Sequence, residues 1–292
     1  MSTIVANVET IAAASTGLRK KSEIRHLKVT LPRVVRSEWF KFTSLRSSWI
    51  TIAVALVIII GIGALATGVA AGDVTSARPG GGAGGGGRGF ASDPTSLSLA
   101  GAGLAQIILG ILGVLAISGE YSSGMIRASL AAVPRRLPVL WGKALVIGVA
   151  SLVVAELGSL TAFLLGQTIL SNSAHVSLSG TGVLRAVLGT GAYMAAIAVL
   201  GLAIGALLRH AAGAIGTLFV LLLLAPGLLP AVLPTSWSDA IVPYLPSNAG
   251  AAFTSVTPAA GSLSAGAGAA VLVVWIVVLL GGAAILLRRR DA

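Results

Sequence analysis

The sequence has no cysteine and very few charged residues. Of its 292 residues, only 10% are charged and 5% are aromatic. Without cysteine, the chain can build neither a disulfide framework nor a thiolate metal site. Because 55% of the residues are hydrophobic, the few charged ones cannot form a polar surface around a soluble core. The composition therefore excludes an ordinary soluble domain and indicates a protein that lies in lipid.

Residue groups that carry catalysis or bind nucleotides are also missing. The three histidines, His26, His175 and His210, are scattered and belong to no metal-binding motif. The only Gly-Lys pair, Gly142 and Lys143, is followed by alanine, so no phosphate-binding loop is present. We therefore expect a chain that is not an enzyme, has no catalytic residue or metal, and binds no nucleotide of its own.

Apolar runs of roughly the 20 residues that cross a bilayer recur along most of the chain. They are rich in alanine, glycine, leucine, isoleucine and valine. They predict transmembrane helices at residues 50 to 71, 97 to 118, 142 to 170, 183 to 208, 211 to 233 and 267 to 287. The expected fold class is an all-α polytopic membrane protein, with one six-span transmembrane domain over residues 50–292.

The basic residues are distributed unevenly between the two sides of these spans. The chain has 20 lysines and arginines, and seventeen of them fall in the segment up to Arg46, the 119 to 143 connection, Arg209 and residues 288 to 290. The opposite connections contain only Arg78, Arg88 and Arg185. Positive residues favour the cytoplasmic side, so both termini are predicted to be cytoplasmic. The net charge of +11 thus marks membrane orientation and does not indicate nucleic acid binding.

Two segments precede the first span. Residues 1–29 have no sustained apolar period and predict a loosely ordered cytoplasmic tail. Residues 30–49 predict an amphipathic helix in the bilayer interface. Its apolar face comprises Leu31, Val34, Val35, Trp39, Phe42, Leu45 and Trp49. Glu38 interrupts that face, which favours either a polar partner or pairing with Lys41 one turn along the helix.

The connection between the second and third spans is polar and patterned. Glu120 falls where the second span ends, and residues 125 to 133 have helical apolar spacing that includes Arg127. Pro134 ends that pattern. These features predict a short amphipathic cytoplasmic helix that docks on a soluble partner, with an ordinary positively charged loop as the alternative.

A few polar residues lie inside the predicted spans. Glu156 sits near the middle of the third, where an ionised side chain costs about 2.5 to 3.5 kcal/mol. It is either a substrate or proton contact in a central cavity, or a packing residue. Gln106, Gln167 and Tyr193 are candidates to line the same substrate pathway.

Small residues and prolines predict local departures from regular spans. Gly201 and Gly205 are spaced by four residues on the fourth span, which predicts close approach to another helix. Four prolines between residues 230 and 246 predict broken or re-entrant helices, with a plain outer loop as the alternative. Residues 80 to 89 are nearly all glycine, which is typical of a flexible linker.

Three segments carry a resemblance to a known family. They are RSEWFKFTSLRSSW before the first span, GEYSSGMIRASLAAVPRR after the second and YLPSNAG before the sixth. The chain resembles, over nearly its whole length, the actinobacterial-style membrane subunits of type 2 ABC exporters. That resemblance implies a permease in a bacterial plasma membrane, paired with a second copy of itself. It also implies a separate ATPase subunit that binds ATP and Mg²⁺, so this chain would bind no cofactor.

The resemblance also implies roles for particular residues. The loop after the second span would be the coupling helix that contacts the ATPase, through Glu120, Tyr121, Gly124, Arg127 and Pro134. The interfacial segment, with Glu38, Trp39 and Lys41, would be the elbow helix.

Two other functions are compatible with the sequence. One is an ion-coupled secondary transporter that uses Glu156. The other is a membrane scaffold or immunity protein that transports nothing. The identity of any transported substrate stays open.

Overall fold

The computed structural model describes residues 30–76, 93–126, 137–170, 175–259 and 261–289. The predicted tail, the glycine-rich linker, Arg127 and Pro134 lie outside these ranges. The described residues are mostly helical and include no strand. In chain order the helices are α1 (Leu31–Ser44), α2 (Arg46–Ser76), α3 (Pro94–Ser98), α4 (Ala102–Ser122), α5 (Leu137–Ile169), α6 (Val183–Leu208), α7 (Ala211–Phe219), α8 (Ala225–Val232), α9 (Thr235–Ile241), α10 (Pro246–Thr254) and α11 (Ala265–Arg289).

Six helical segments of the described chain are long and apolar enough to cross a bilayer. They are Arg46–Gly72, Ala102–Ser122, Leu137–Ile169, Val183–Leu208, Ala211–Val232 and Ala265–Arg289. Each overlaps one of the predicted spans. The structure therefore confirms the fold class: the chain is an all-α, multi-pass membrane protein with six apolar helices of spanning length.

Helix α6 occupies the centre of the bundle and packs against α4, α5 and α11. Its contact with α4 is a seam of small residues. Gly201 lies directly against the backbone of Gly110, and Gly113 lies against the backbone of Ala198. A side chain at either glycine would overlap main-chain atoms of the other helix. The predicted close approach at Gly201 is confirmed, because only glycine lets the two backbones come so near.

The second span does not begin at residue 97 as predicted. Residues of α3 form a separate short helix, whose start is capped by Asp93 accepting a hydrogen bond from the backbone N–H of Thr95 at 3.0 Å. The chain then turns, and α4 begins at Ala102. At the turn, Gly101 lies against the backbone of Ile58 and Ile59 in α2, which leaves no space for a larger residue.

Helix α1 ends at Ser44, so the predicted helix over residues 30–49 is divided at Leu45. The Ser44 hydroxyl donates to the carbonyl of Lys41 at 2.9 Å, and Thr43 bonds in the same way to its own preceding turn. Such local bonds compete with continuation of a helix. Across the bend, the Trp49 indole N–H donates to the Thr43 carbonyl at 2.9 Å.

The fifth span and the segment after it are irregular. A π-helical turn over Val220–Leu224 joins α7 to α8. Pro226 follows two residues after the end of this turn. Its ring would clash with the carbonyl four residues earlier in a regular α-helix, which accounts for the irregular turn before it. Beyond α8 the chain forms the short helices α9 and α10, so the structure has broken helices in place of a plain loop. Helix α10 is inserted between α6 and α11, with Ala249 and Gly250 buried.

Candidate functional site

The buried face of α1 contains a carboxylate between two apolar residues. Val34, Glu38 and Phe42, spaced by four, all face the bundle, and Glu38 is only 3% exposed. Val34 packs against Gly142 near the start of α5. Trp39 lies on the outward side and is 45% exposed. The helix therefore uses two different faces, one against the protein and one toward the surroundings.

Four side chains from three helices form an ionic cluster, defined here as Glu38, Lys41, Glu120 and Lys143, of which all but Lys41 are buried. The Lys41 ammonium lies 2.7 Å from Glu38 Oε1 and 3.0 Å from Glu120 Oε1. The Lys143 ammonium lies 2.9 Å from Glu120 Oε1 and also contacts Glu38 Oε2. Each lysine bridges both carboxylates, so α1 is connected to the end of α4 and the start of α5.

The charges in the ionic cluster balance, with two ammonium groups facing two carboxylates. Burial lowers the pKa of Lys41, but its hydrogen bonds to Glu38 and Glu120 and their negative charges outweigh that effect and raise the pKa above its ordinary value. Removing charges from water costs several kcal/mol per ion, and good geometry with mutual hydrogen bonds offsets that cost. The cluster is therefore stable as a set and costly to break at a single member.

The sequence indicated part of this cluster. It predicted that Glu38 would meet either Lys41 or a polar partner, and the structure contains both kinds of contact. Lys143 was not among the candidate site residues, because 105 residues separate it from Glu38. A signal was present all the same: Lys143 lies inside the apolar run of α5, where a buried lysine needs a carboxylate partner.

The predicted coupling residues that the structure describes have distinct positions. Glu120 points inward and is 5% exposed. The Tyr121 ring lies under the guanidinium group of Arg209, with 5.2 Å between the arginine carbon and the ring centroid. Gly124 follows the last turn of α4 and has a φ of 72°. This left-handed backbone conformation favours glycine. Arg127 and Pro134 lie outside the described residues.

Two of the four predicted pathway residues lie together. The Tyr193 hydroxyl of α6 donates to Gln106 Oε1 of α4, and Gln106 Nε2 donates to the Gly103 carbonyl at 2.9 Å. The Tyr193 ring also packs against Gly250 of α10. This hydrogen-bonded pair is buried and connects α4, α6 and α10 in the interior of the bundle.

The other two pathway residues lie elsewhere. Gln167 donates to the Ser98 hydroxyl at 3.2 Å and accepts from the Val176 backbone at 2.8 Å. The Glu156 carboxyl packs against Gly191 of α6. Gly191 is two residues from Tyr193, so Glu156 and the Tyr193 ring lie on nearly opposite faces of α6. The described residues therefore do not bring all four candidates into one cavity.

No protein-family model matches this chain, and no curated protein sequence matches it either. Within the described residues, no group of three or more His, Asp or Glu side chains is placed to hold a metal ion. The membrane-spanning fold and the ionic cluster are therefore the observations that bear on function.

Proposed function

We propose that this chain is the transmembrane subunit of an ATP-driven exporter of the type 2 ABC class. In this proposal two copies of the chain form the substrate pathway in a bacterial plasma membrane. A separate ATPase subunit binds ATP and Mg²⁺, and both termini of the permease are cytoplasmic. The six apolar helices and the helix α1 that precedes them support this architecture.

The position of the ionic cluster is the observation that carries the proposal. Glu120 lies in the last turn of α4 and Lys143 in the second turn of α5, so they flank the connection that the resemblance assigns to ATPase coupling. Lys41 and Glu38 add α1 to the same unit. A force applied to the connection would therefore move α1, α4 and α5 together, as conversion of ATPase motion into helix motion requires.

The burial of Glu120 changes the role that we assign to it. A carboxylate that is 5% exposed and bonded to two lysines cannot also present its charge to a soluble partner. Glu120 is therefore a positioning residue that orients the connection. Tyr121 and Arg209 extend this support to α6 through their cation–π contact.

The predicted sidedness can be tested directly, because the chain has no cysteine to remove. Ser123 and Ser179 are both exposed and lie at opposite ends of the bundle. With a membrane-impermeant maleimide, Ser179→Cys should be labelled in intact cells and Ser123→Cys only after permeabilisation. Labelling of Ser123→Cys in intact cells would contradict the proposed orientation.

The exporter proposal is tested by co-expressing the chain with an ATPase encoded beside its gene. The expected result is co-purification and ATP-dependent transport into inverted vesicles. Arg127→Glu should weaken both, because loss of a close interfacial charge contact can cost about 2 to 5 kcal/mol. The matched control is Arg88→Glu, a charge reversal of the same kind on the predicted outer side. Equal assembly and efflux in wild type and Arg127→Glu would refute the coupling assignment.

Glu156 supports a second candidate function, ion-coupled secondary transport. Its Oε2 atom is buried and accepts no hydrogen bond from the described residues, which is unusual for a carboxylate at membrane depth. In liposomes without ATPase, a pH gradient should then drive transport in the wild-type protein and not in Glu156→Gln. Transport that needs ATP and survives Glu156→Gln would exclude this candidate.

A further inference from the structure

A groove lies beneath α1, between α2, α4 and α5, and has a volume of about 430 Å³. The ionic cluster lines one end of it. The remaining walls are largely apolar, and six of the side chains that form them are Phe42, Leu45, Leu112, Leu115, Val146 and Ile147. A volume of this size is typical of binding sites for small organic molecules. The lining fits a molecule with a charged head and an apolar body.

The mouth of the groove opens on the exposed apolar surface of the helices. Leu45 and Leu115 line the groove and are 53% and 44% exposed. Leu115 lies seven residues before Ser122, the end of α4, which is about 10 Å along the helix axis. The groove thus reaches from the headgroup level into the hydrocarbon layer, and an apolar rim at that depth favours a lipid over a water-soluble ligand.

One carboxylate oxygen of the ionic cluster has no hydrogen-bond donor among the described residues. Three of its four carboxylate oxygens accept hydrogen bonds from Lys41 or Lys143. The fourth, Glu120 Oε2, is buried and has no donor among the described residues. A buried carboxylate oxygen without a donor is costly, so a ligand that brings an N–H group would stabilise it.

We propose that this groove binds phosphatidylethanolamine from the leaflet on the α1 side. The primary ammonium of the headgroup donates to Glu120. One acyl chain lies along Leu112 and Leu115. Phosphatidylcholine has the same charges but no N–H donor, so the site discriminates against it. This inference rests only on the membrane-spanning fold and not on the proposed exporter activity.

Gly119 provides a variant that closes the groove without touching the ionic cluster. It lines the groove, is exposed, and has no atom within 4 Å of the position that a Cβ would take. Gly119→Leu therefore fills the groove without a clash at the backbone. The matched control is Gly68→Leu on α2, where a Cβ also meets open space but the groove is distant.

The test is native mass spectrometry of the purified full chain, delipidated in detergent and then given equal phosphatidylethanolamine and phosphatidylcholine with identical acyl chains. The wild-type protein and Gly68→Leu should each retain about tenfold more phosphatidylethanolamine than phosphatidylcholine. This ratio is the scale of one charge-assisted hydrogen bond. Gly119→Leu should lose that bound lipid. Glu120→Gln, if it folds, should bind the two lipids equally.

Two results would overturn the proposal. One is equal retention of the two lipids by the wild-type protein, which would remove the headgroup contact. The other is retention of phosphatidylethanolamine by Gly119→Leu at the level of Gly68→Leu, which would place the lipid outside the groove. An added arm with phosphatidylglycerol identifies a site for anionic lipid: a preference for that lipid over phosphatidylethanolamine would likewise refute the assignment.

Discussion

Helices α1 and α6 are both attached to α4, but by opposite means. At the centre of the contact between α4 and α6, Gly201 and Gly113 each lie directly against the backbone of the other helix. The contact between α1 and α4 depends on four charged side chains. In the hydrocarbon layer lipid chains are as apolar as leucine, so helices associate through close packing of small residues. Near the headgroups, shielded charges can specify the position of one helix against its neighbours.

The two contacts should therefore fail in different ways. A small-residue seam has no tolerance for added volume, because the obstacle is backbone that cannot move aside. An ionic cluster tolerates changes in volume but not an unbalanced charge. Four predictions, from the largest expected effect to the smallest, test this difference.

The largest effect is expected at the α4–α6 seam. Gly113→Leu places a side chain where the backbone of Ala198 lies, so the helices must separate and the fold should be lost. The measurement is the monodisperse fraction by gel filtration in detergent. Gly103→Leu is the control, because a Cβ at that position of the same helix meets no atom within 4 Å. Normal yield and elution of Gly113→Leu would show that the seam is not tight.

Removing one member of the ionic cluster should have the next largest effect. Lys143→Met leaves two buried carboxylates facing one ammonium, and breaking a buried pair costs about 3 to 5 kcal/mol. The double variant with Glu38→Gln restores the balance of charge and should be destabilised by less than the sum of the two single variants. Denaturant unfolding measures all three. Additive effects would mean that the four charges do not act as a set.

The matched control for the cluster is Arg36→Met. Arg36 lies on the exposed side of α1 and stacks over the Phe40 ring, with 5.5 Å between the guanidinium carbon and the ring centroid. Its loss should change the free energy of unfolding by less than about 1 kcal/mol. A loss as large as that of Lys143→Met would contradict the contrast between the two faces.

A smaller effect is expected at the buried hydrogen bond between α4 and α6. Tyr193→Phe removes the hydroxyl that donates to Gln106 and leaves the ring in place. Hydrogen bonds between membrane helices contribute about 0.6 kcal/mol on average, with a maximum near 1.7. Tyr244→Phe is the control, since that side chain is 51% exposed. If both variants lose the same stability, the Gln106 contact contributes nothing beyond an exposed hydroxyl.

The smallest effect should appear only at alkaline pH. The pKa of Lys41 is raised above 10.5 in the folded protein, so its contribution to stability is complete below that pH and is lost as the pH rises through the folded value. Lys41→Arg keeps the charge, because arginine does not deprotonate there. The decline of thermal stability above pH 10.5 should be shallower in Lys41→Arg than in wild type. Parallel curves would remove Lys41 from the pH response.

Much of the architecture was predictable because its causes are local. The length of an apolar run determines whether it can cross a bilayer, and each of the six predicted runs overlaps a helix of spanning length. The break between α3 and α4 was not predicted. It depends on Gly101 meeting the backbone of α2, a contact with residues some forty positions earlier in the chain.

The candidate site was predictable in part, and for the same reason. Glu38 was predicted to need a polar partner. Any helix at that point brings Lys41, three residues away, within reach of Glu38. The four pathway candidates were grouped because all are polar and lie in predicted spans. Their actual partners depend on which face of α6 each one meets, and span assignment alone contains no information on the rotation of neighbouring helices.

The sequence by itself determined that the chain lies in a membrane, how many times apolar helices of spanning length recur, and which charged residues could not stay alone in lipid. Those properties follow from the free energy of transferring each segment into hydrocarbon, which depends on local composition. Only the tertiary structure decided that Lys143 completes the cluster around Glu38 and Glu120, and that Glu156 lies apart from Gln106 and Tyr193. Such pairings join residues up to 105 positions apart and depend on how rigid helices pack, which no local property of the chain specifies.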